Sequence, residues 1–241
     1  MATKAILKRQ LIQITHDIWT LILLIIAPLL VIFFSNVFYL NHIKPHTAQW
    51  FFQSGSLLCV LSFIFPCLTA AIAMLRDKKL GTLELTLMAP VTRGQVILGY
   101  LIGIGIIFAA QTLILLLFSI FIFHWSFSWT FILLYILLLI ESITAIEIGL
   151  FIAACAKNPL KIFLYMTVII ILQIINWGQT AGWLPVISII IPVNYSVDSV
   201  TSMFLHGYIL SGFFLNIAAL IVFCLLFFTL NIWVLQKIRR V

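Results

Sequence analysis

Residues 95–123 read QVILGYLIGIGIIFAAQTLILLLFSIFIF, twenty-nine positions without a charged side chain. An α-helix rises about 1.5 Å per residue, so roughly 20 apolar residues cross the ~30 Å hydrocarbon core of a bilayer. This stretch is long enough to cross with tilt, or to project beyond the bilayer. It is continuously apolar, whereas the strands of a membrane β-barrel alternate apolar and polar positions. Five further stretches read the same way: Ile18–Phe38, Ser56–Leu75, Trp129–Ala156, Leu160–Trp177 and Ser211–Leu235. Leu184–Ile191 is apolar but too short to cross, and reads as a re-entrant or interfacial piece. Of the 241 residues, 64% are hydrophobic and 8% charged, and Phe occurs 21 times. A soluble fold could not hide that much apolar surface. A cytosolic globular enzyme, a disordered chain and a disulfide-rich secreted scaffold are excluded. The expected class is an all-α polytopic membrane protein with six transmembrane helices in one domain over 18–241, preceded by an interfacial helix over 1–17.

The basic residues orient the bundle. Lys4, Lys8 and Arg9 precede the first span. Arg76, Lys78, Lys79 and Arg93 lie between the second and third, Lys157 and Lys161 between the fourth and fifth, and Lys237, Arg239 and Arg240 follow the sixth. Twelve of the 13 basic residues thus fall on one side, and only Lys44 on the other. Lys and Arg favour the cytoplasmic side, so both termini are expected there, in a multi-pass protein of the cytoplasmic (inner) membrane. The same placement accounts for the net charge of +7 without nucleic acid. The basic N-terminus runs into Asp17 and a span longer than a signal peptide's apolar region, so no cleavable signal is expected. Cys59, Cys67, Cys155 and Cys224 fall in or at the ends of spans, where thiols act as small hydrophobes. Trp50, Trp125, Trp129, Trp177 and Trp183 stand near predicted boundaries, as interfacial aromatics do.

Two pieces on the basic side are patterned. In 4–17, Leu7, Leu11, Ile14 and Ile18 share one helical face and Lys4, Lys8 and Gln13 lie away from it, which suits a helix along anionic headgroups. The loop 76–93 reads RDKKLGTLELTLMAPVTR. Gly81 breaks the preceding helix, and Thr82 offers a hydroxyl to cap a new one. Glu84 falls in its first turn, where the helix dipole favours an acid, and Pro90 ends it. Leu80, Leu83 and Leu87 line one side of this short helix while Leu85 and Met88 point elsewhere. It therefore calls for cover on two sides: its own bundle and a second protein. The alternative is a loop helix packed wholly on its own bundle.

The string Arg76-Asp77-x-x-x-Gly81-Thr82-Leu83-Glu84-x-x-Leu87-x-x-Pro90-Val91-x-Arg93, followed by Gln95-Val96-Ile97-Leu98-Gly99-Tyr100, resembles the signature of ABC-2 type transporter permeases. The resemblance implies that the helix after Gly81-Thr82 is a coupling helix between spans two and three, docking on a cytoplasmic ATP-binding subunit. Members often carry Lys after the Gly that opens span three; here that position is Tyr100. Pro192-Val193-Asn194-Tyr195-Ser196-Val197-Asp198-Ser199 resembles a second family segment, in which Arg often follows a few residues on; here it is Thr201. The resemblance also implies short re-entrant helices between spans five and six, within an external region 178–210 that holds Pro192, Tyr195 and Asp198. It further implies an assembly of two permease copies, identical or related, with two ATPases. The chain holds no G-x-x-x-x-G-K-[ST] phosphate loop, so ATP and Mg belong to the partner subunit and this chain binds no cofactor.

Polar groups inside the membrane carry the remaining signal. Glu141 and Glu147 fall in span four, where an ionisable group is costly. Glu141, Ala145, Gly149 and Ala153 form one face of otherwise small residues suited to close packing. Thr144 is three residues from each acid, and Gln111 and Thr112 in span three and Gln173 and Asn176 in span five are further candidate partners. The acids read either as structural groups, protonated or hydrogen-bonded, or as a substrate or proton path. Gly99 and Gly103 permit close helix contact, within the chain or between copies. His42 and His46 flank Pro45, which argues against a metal pair, and no catalytic constellation appears. The leading function is the membrane subunit of an ATP-driven exporter of a hydrophobic or amphipathic molecule (a drug, a lipid or a lipid-linked molecule). A haem or polysaccharide exporter within the same family, or an ion-coupled secondary transporter using Glu141 and Glu147, are the alternatives.

Overall fold

The computed structural model describes Arg9, Ile12 and residues 18–42, 48–88, 91–125, 130–156, 159–175, 189–205 and 211–238. These form helices and no strand: α1 (Ile18–His42), α2 (Ala48–Lys79), α3 (Thr82–Met88), α4 (Arg93–Phe123), α5 (Thr130–Cys155), α6 (Pro159–Ile175), α7 (Pro192–Leu205) and α8 (Ser211–Ile238). Among the described residues four helices are long and apolar enough to cross a membrane, over Phe52–Lys79, Arg93–Phe123, Thr130–Cys155 and Gly212–Lys237. Shorter apolar stretches, Leu24–Phe38 and Leu160–Ile171, lie in α1 and α6. The expected interfacial helix over 1–17 lies outside the described residues apart from Arg9 and Ile12, as do Pro90, Asn176 and, of the region expected to be external, residues 178–188 and 206–210.

α5 is the enclosed helix, packed by α2, α8, α4 and α7. Its small residues explain how α2 comes so close. A Cβ on Gly149 would collide with the backbone carbonyl of Cys67 and lie 3.2 Å from the Ala70 Cβ. Such backbone approach is how helices associate where lipid removes the hydrophobic drive. α2 carries Pro66 in its interior, which offers no N–H to the carbonyl of Ser62 one turn earlier. α7 buries Val193, Ser196, Val200 and Met203, an i, i+3, i+7, i+10 stripe, against α2, α5 and α8. Its start at Pro192 suits a first helical position, where a missing N–H costs nothing.

The two ends of the bundle differ. At one end, Trp50 of α2, Phe123 and Trp125 beside the end of α4 and Phe131 of α5 form a chain of ring contacts 5.5–6.1 Å apart. Trp50 and Trp125 are 2% and 5% exposed, so these two are core residues and not the headgroup-facing belt expected from their sequence positions. The other end collects Asp77, Lys78, Arg93 and Lys237.

Candidate functional site

The basic end is built where α2 hands over to α3. Gly81 adopts φ +69, the left-handed conformation that closes a helix C-terminus, and its N–H donates to Lys78 O at 3.2 Å. Leu85 N–H then bonds Gly81 O, which puts Gly81 at the cap position just before α3. Thr82 is therefore the first residue of the helix and not its cap. Its hydroxyl turns back and donates to Asp77 O at 3.1 Å and Asp77 Oδ1 at 3.2 Å.

Asp77 is the hub of this end. It is fully buried, and its Oδ2 accepts from Arg9 Nη2 at 2.6 Å and from the Tyr100 hydroxyl. One carboxylate thus joins the N-terminal segment, the last turn of α2, the first turn of α3 and the first third of α4. A buried charge demands such partners, because desolvating it uncompensated costs several kcal/mol. Lys78, next in sequence, donates to Ala154 O at 2.8 Å and also to the carbonyls of Ala153 and Ala156. It thereby satisfies the orphaned C-terminal carbonyls of α5 and places a cation at the negative end of that helix. Arg93 reaches Leu235 O of α8 at 3.4 Å, and α4 opens with a reciprocal capping box between Thr92 and Gln95. Arg76 is half-buried in the last turn of α2, and Val91 packs on the core.

α3 shows two faces. Leu83 is 2% exposed and Leu87 packs on the core. Leu80, expected on their side, is instead 63% exposed, because it lies in the turn before α3 begins. Leu85 and Met88 are 68% and 80% exposed, with Glu84 also exposed between the two faces.

Inside the bundle, Glu141 and Glu147 are both fully buried. Ser62 of α2 donates to Glu141 Oε2 at 3.0 Å, and Asn231 of α8 donates to Glu147 Oε2 at 2.7 Å. Thr144 bonds neither acid: its hydroxyl serves Ile140 O at 2.9 Å and Leu220 O at 3.4 Å. Gln111 and Thr112 are buried in α4. Gln173 lies in α6, its side chain outside what is described, and Asn176 lies beyond it. At α7 the Tyr195 hydroxyl donates to Ile189 O at 2.9 Å, Pro192 opens the helix, and Asp198 is exposed.

The structure therefore brings Arg76, Asp77, Gly81, Thr82, Leu83, Glu84, Leu87, Val91 and Arg93 to one end of the bundle, and holds Glu141 and Glu147 apart from them in its interior. Sequence reasoning missed the roles of Arg9, Tyr100 and Lys78 at the hub, and of Ser62, Ser196 and Asn231 inside. Asn231 carried a signal, since an amide inside an apolar span needs a partner.

Residues 1–205 match the family described as ABC-2 type transporter. The chain belongs to the ABC-2 type transporter family. The permease also resembles a curated Escherichia coli K12 protein named "Probable multidrug ABC transporter permease YbhR", with 22% identity over 171 residues, 68% of this chain and 46% of the relative. The protein of the same name from Escherichia coli O157:H7 matches equally. The permease thus spans less than half the length of these relatives.

Proposed function

We propose that this permease is the membrane subunit of an ATP-driven exporter, and that α3 is the coupling helix through which a separate cytoplasmic ATP-binding subunit drives it. The observation that carries the reading is the division of α3. Leu83 anchors it on the bundle, Leu85 and Met88 stand exposed beside Glu84, and its first residue is hydrogen-bonded to a carboxylate that also grips α4 and Arg9. A force on the outer face of α3 has a short, buried path into the spans. Exposed apolar side chains beside an acid suit a protein partner.

In this reading the basic end faces the cytoplasm of an inner membrane, ATP and Mg are bound by the partner, and residues 1–17 lie along the headgroups. α1 and α6 complete six spans. α7 is a re-entrant helix between the fifth and sixth, and two copies, identical or related, enclose the path. The cargo is hydrophobic or amphipathic, in keeping with the name of the distant multidrug relative and with a bundle walled by apolar side chains.

The test is purification of the tagged chain from its native membrane in mild detergent, with partners identified by mass spectrometry and ATPase activity assayed. An ATP-binding protein is expected to co-purify with the wild type and be lost with Glu84→Lys, while the variant keeps its thermal melt. Retention of wild-type partner affinity and transport in Glu84→Lys would remove α3 from the coupling role.

A further inference from the structure

Glu141 and Glu147 share a pattern of hydrogen bonding. In each, Oε2 accepts a bond, from Ser62 or from Asn231, and Oε1 is buried with no partner. Each also has beside it a second buried oxygen in the same condition. Ser196 of α7 faces Glu141 and is fully buried, and its hydroxyl makes no well-formed hydrogen bond. Asn231 is fully buried, and its Oδ1 has no partner. The orientation of that amide is set, because its nitrogen donates both to Glu147 O at 3.0 Å and to Glu147 Oε2. Reversing it would turn an oxygen toward two acceptors. Among the described residues seven buried side-chain oxygens lack a well-formed hydrogen bond, and four of them fall in these two pairs.

Among the described residues no cation pairs with either acid. The titratable or polar side chains facing Glu141 are Ser62 and Cys59 of α2 and Ser196 of α7. Those facing Glu147 are Asn231 and Cys224 of α8. Among the described residues the ion pair is Arg9–Asp77, at the end of the bundle. An ionised carboxylate inside a span without a cation is among the most costly arrangements available to a membrane protein.

We propose that Glu141 and Glu147 are two proton-binding sites, each holding a proton on Oε1 and donating it across a helix boundary, Glu141 to Ser196 Oγ of α7 and Glu147 to Asn231 Oδ1 of α8. One proton per site supplies the donor that two oxygens lack. At Glu147 it completes an acid–amide pair with two antiparallel hydrogen bonds. At Glu141 it fastens α7 to the α2–α5 core, since the same carboxyl already holds Ser62. Loss of either proton would leave a bare charge and release one of these helices, so α5 carries two proton-dependent latches.

Infrared spectroscopy of the full chain in lipid nanodiscs tests it. The wild type at neutral pH should show protonated-carboxyl carbonyl absorption that decreases in Glu141→Gln, decreases separately in Glu147→Gln and disappears in the double variant. These amides keep the size and shape of the acid, so folding is preserved. Ser196→Ala should move only the Glu141 band and Asn231→Leu only the Glu147 band. A double variant whose protonated-carboxyl region matches the wild type would overturn the proton sites. Bands that are present but unmoved by Ser196→Ala and Asn231→Leu would overturn the assigned acceptors and, with them, the latches.

Discussion

The basic end of the bundle and the interior of α5 both bury carboxyl groups, and they treat them in opposite ways. At the end, Asp77 is surrounded by an arginine, a phenol and a hydroxyl, and its neighbour Lys78 neutralises the C-terminus of α5. In the interior, the groups that Glu141 and Glu147 meet among the described residues are hydroxyls, an amide and thiols. The end is held by full charges arranged around helix termini, where snorkelling side chains and headgroup water lower the cost of ions. The interior is held by close backbone contact and neutral hydrogen bonds, because hydrocarbon leaves no other option. Position along the membrane normal, more than residue type, decides what a carboxyl does in this chain.

Substitutions that strike the binding principle of each region should separate them. The largest effect is expected in the interior from a purely steric change. Gly149→Leu places a side chain where the Cys67 carbonyl already lies and forces α2 from α5. Overpacking against backbone costs about 3 kcal/mol or more, and the variant should fail to give a monodisperse peak in size-exclusion chromatography. Next is Asp77→Asn at the basic end. It removes the counter-ion of Arg9 while keeping the side chain's shape, and Arg9 is 30% exposed, so part of the loss is screened. About 2 kcal/mol of destabilisation is expected, read as a lowered thermal midpoint. An unchanged midpoint would mean that the hub is not an ionic device.

The contrast was partly legible in the sequence. The continuous apolar runs gave the helices, and Gly81 and the short α3 followed from turn chemistry, because these depend on the residue and its immediate neighbours. The Ala145–Gly149–Ala153 ladder pointed to close packing, and Gly149 does meet α2. The hub was not legible. Arg9 and Asp77 are 68 residues apart, and nothing local to either shows that Tyr100 completes the pair. Thr82 was misjudged for a local reason: Gly81 takes the cap position, one residue earlier than expected, and the Thr82 hydroxyl donates back to Asp77. Trp50 and Trp125 looked like boundary residues because they stand at helix ends, yet rings from three helices converge there and bury them. At the hub and at Trp50 a partner distant in sequence overruled a local preference.

A smaller effect is expected from Lys78→Met, which keeps most of the apolar stem and deletes the ammonium that serves the last carbonyls of α5. A cation at a helix C-terminus is worth about 1 kcal/mol in a partly buried site. The thermal midpoint should fall by less than in Asp77→Asn. A larger fall would show that α5 is anchored mainly from its end and that the interior contacts follow from this anchoring.

The smallest effect should come from Glu147→Gln, which makes the same acid-to-amide change as Asp77→Asn. If the Glu147 carboxyl is neutral, the amide carries no less charge than the group it replaces. Its oxygen still accepts from Asn231, and its nitrogen donates where the acid proton did. The midpoint should then stay within about 0.5 kcal/mol of the wild type, the range of substitutions that disturb no interaction. A loss as large as that of Asp77→Asn would mean that Glu147 is charged in the folded chain and compensated by a group not yet placed beside it. The two regions would then differ only in where their counter-ions come from, and not in how they hold a carboxyl.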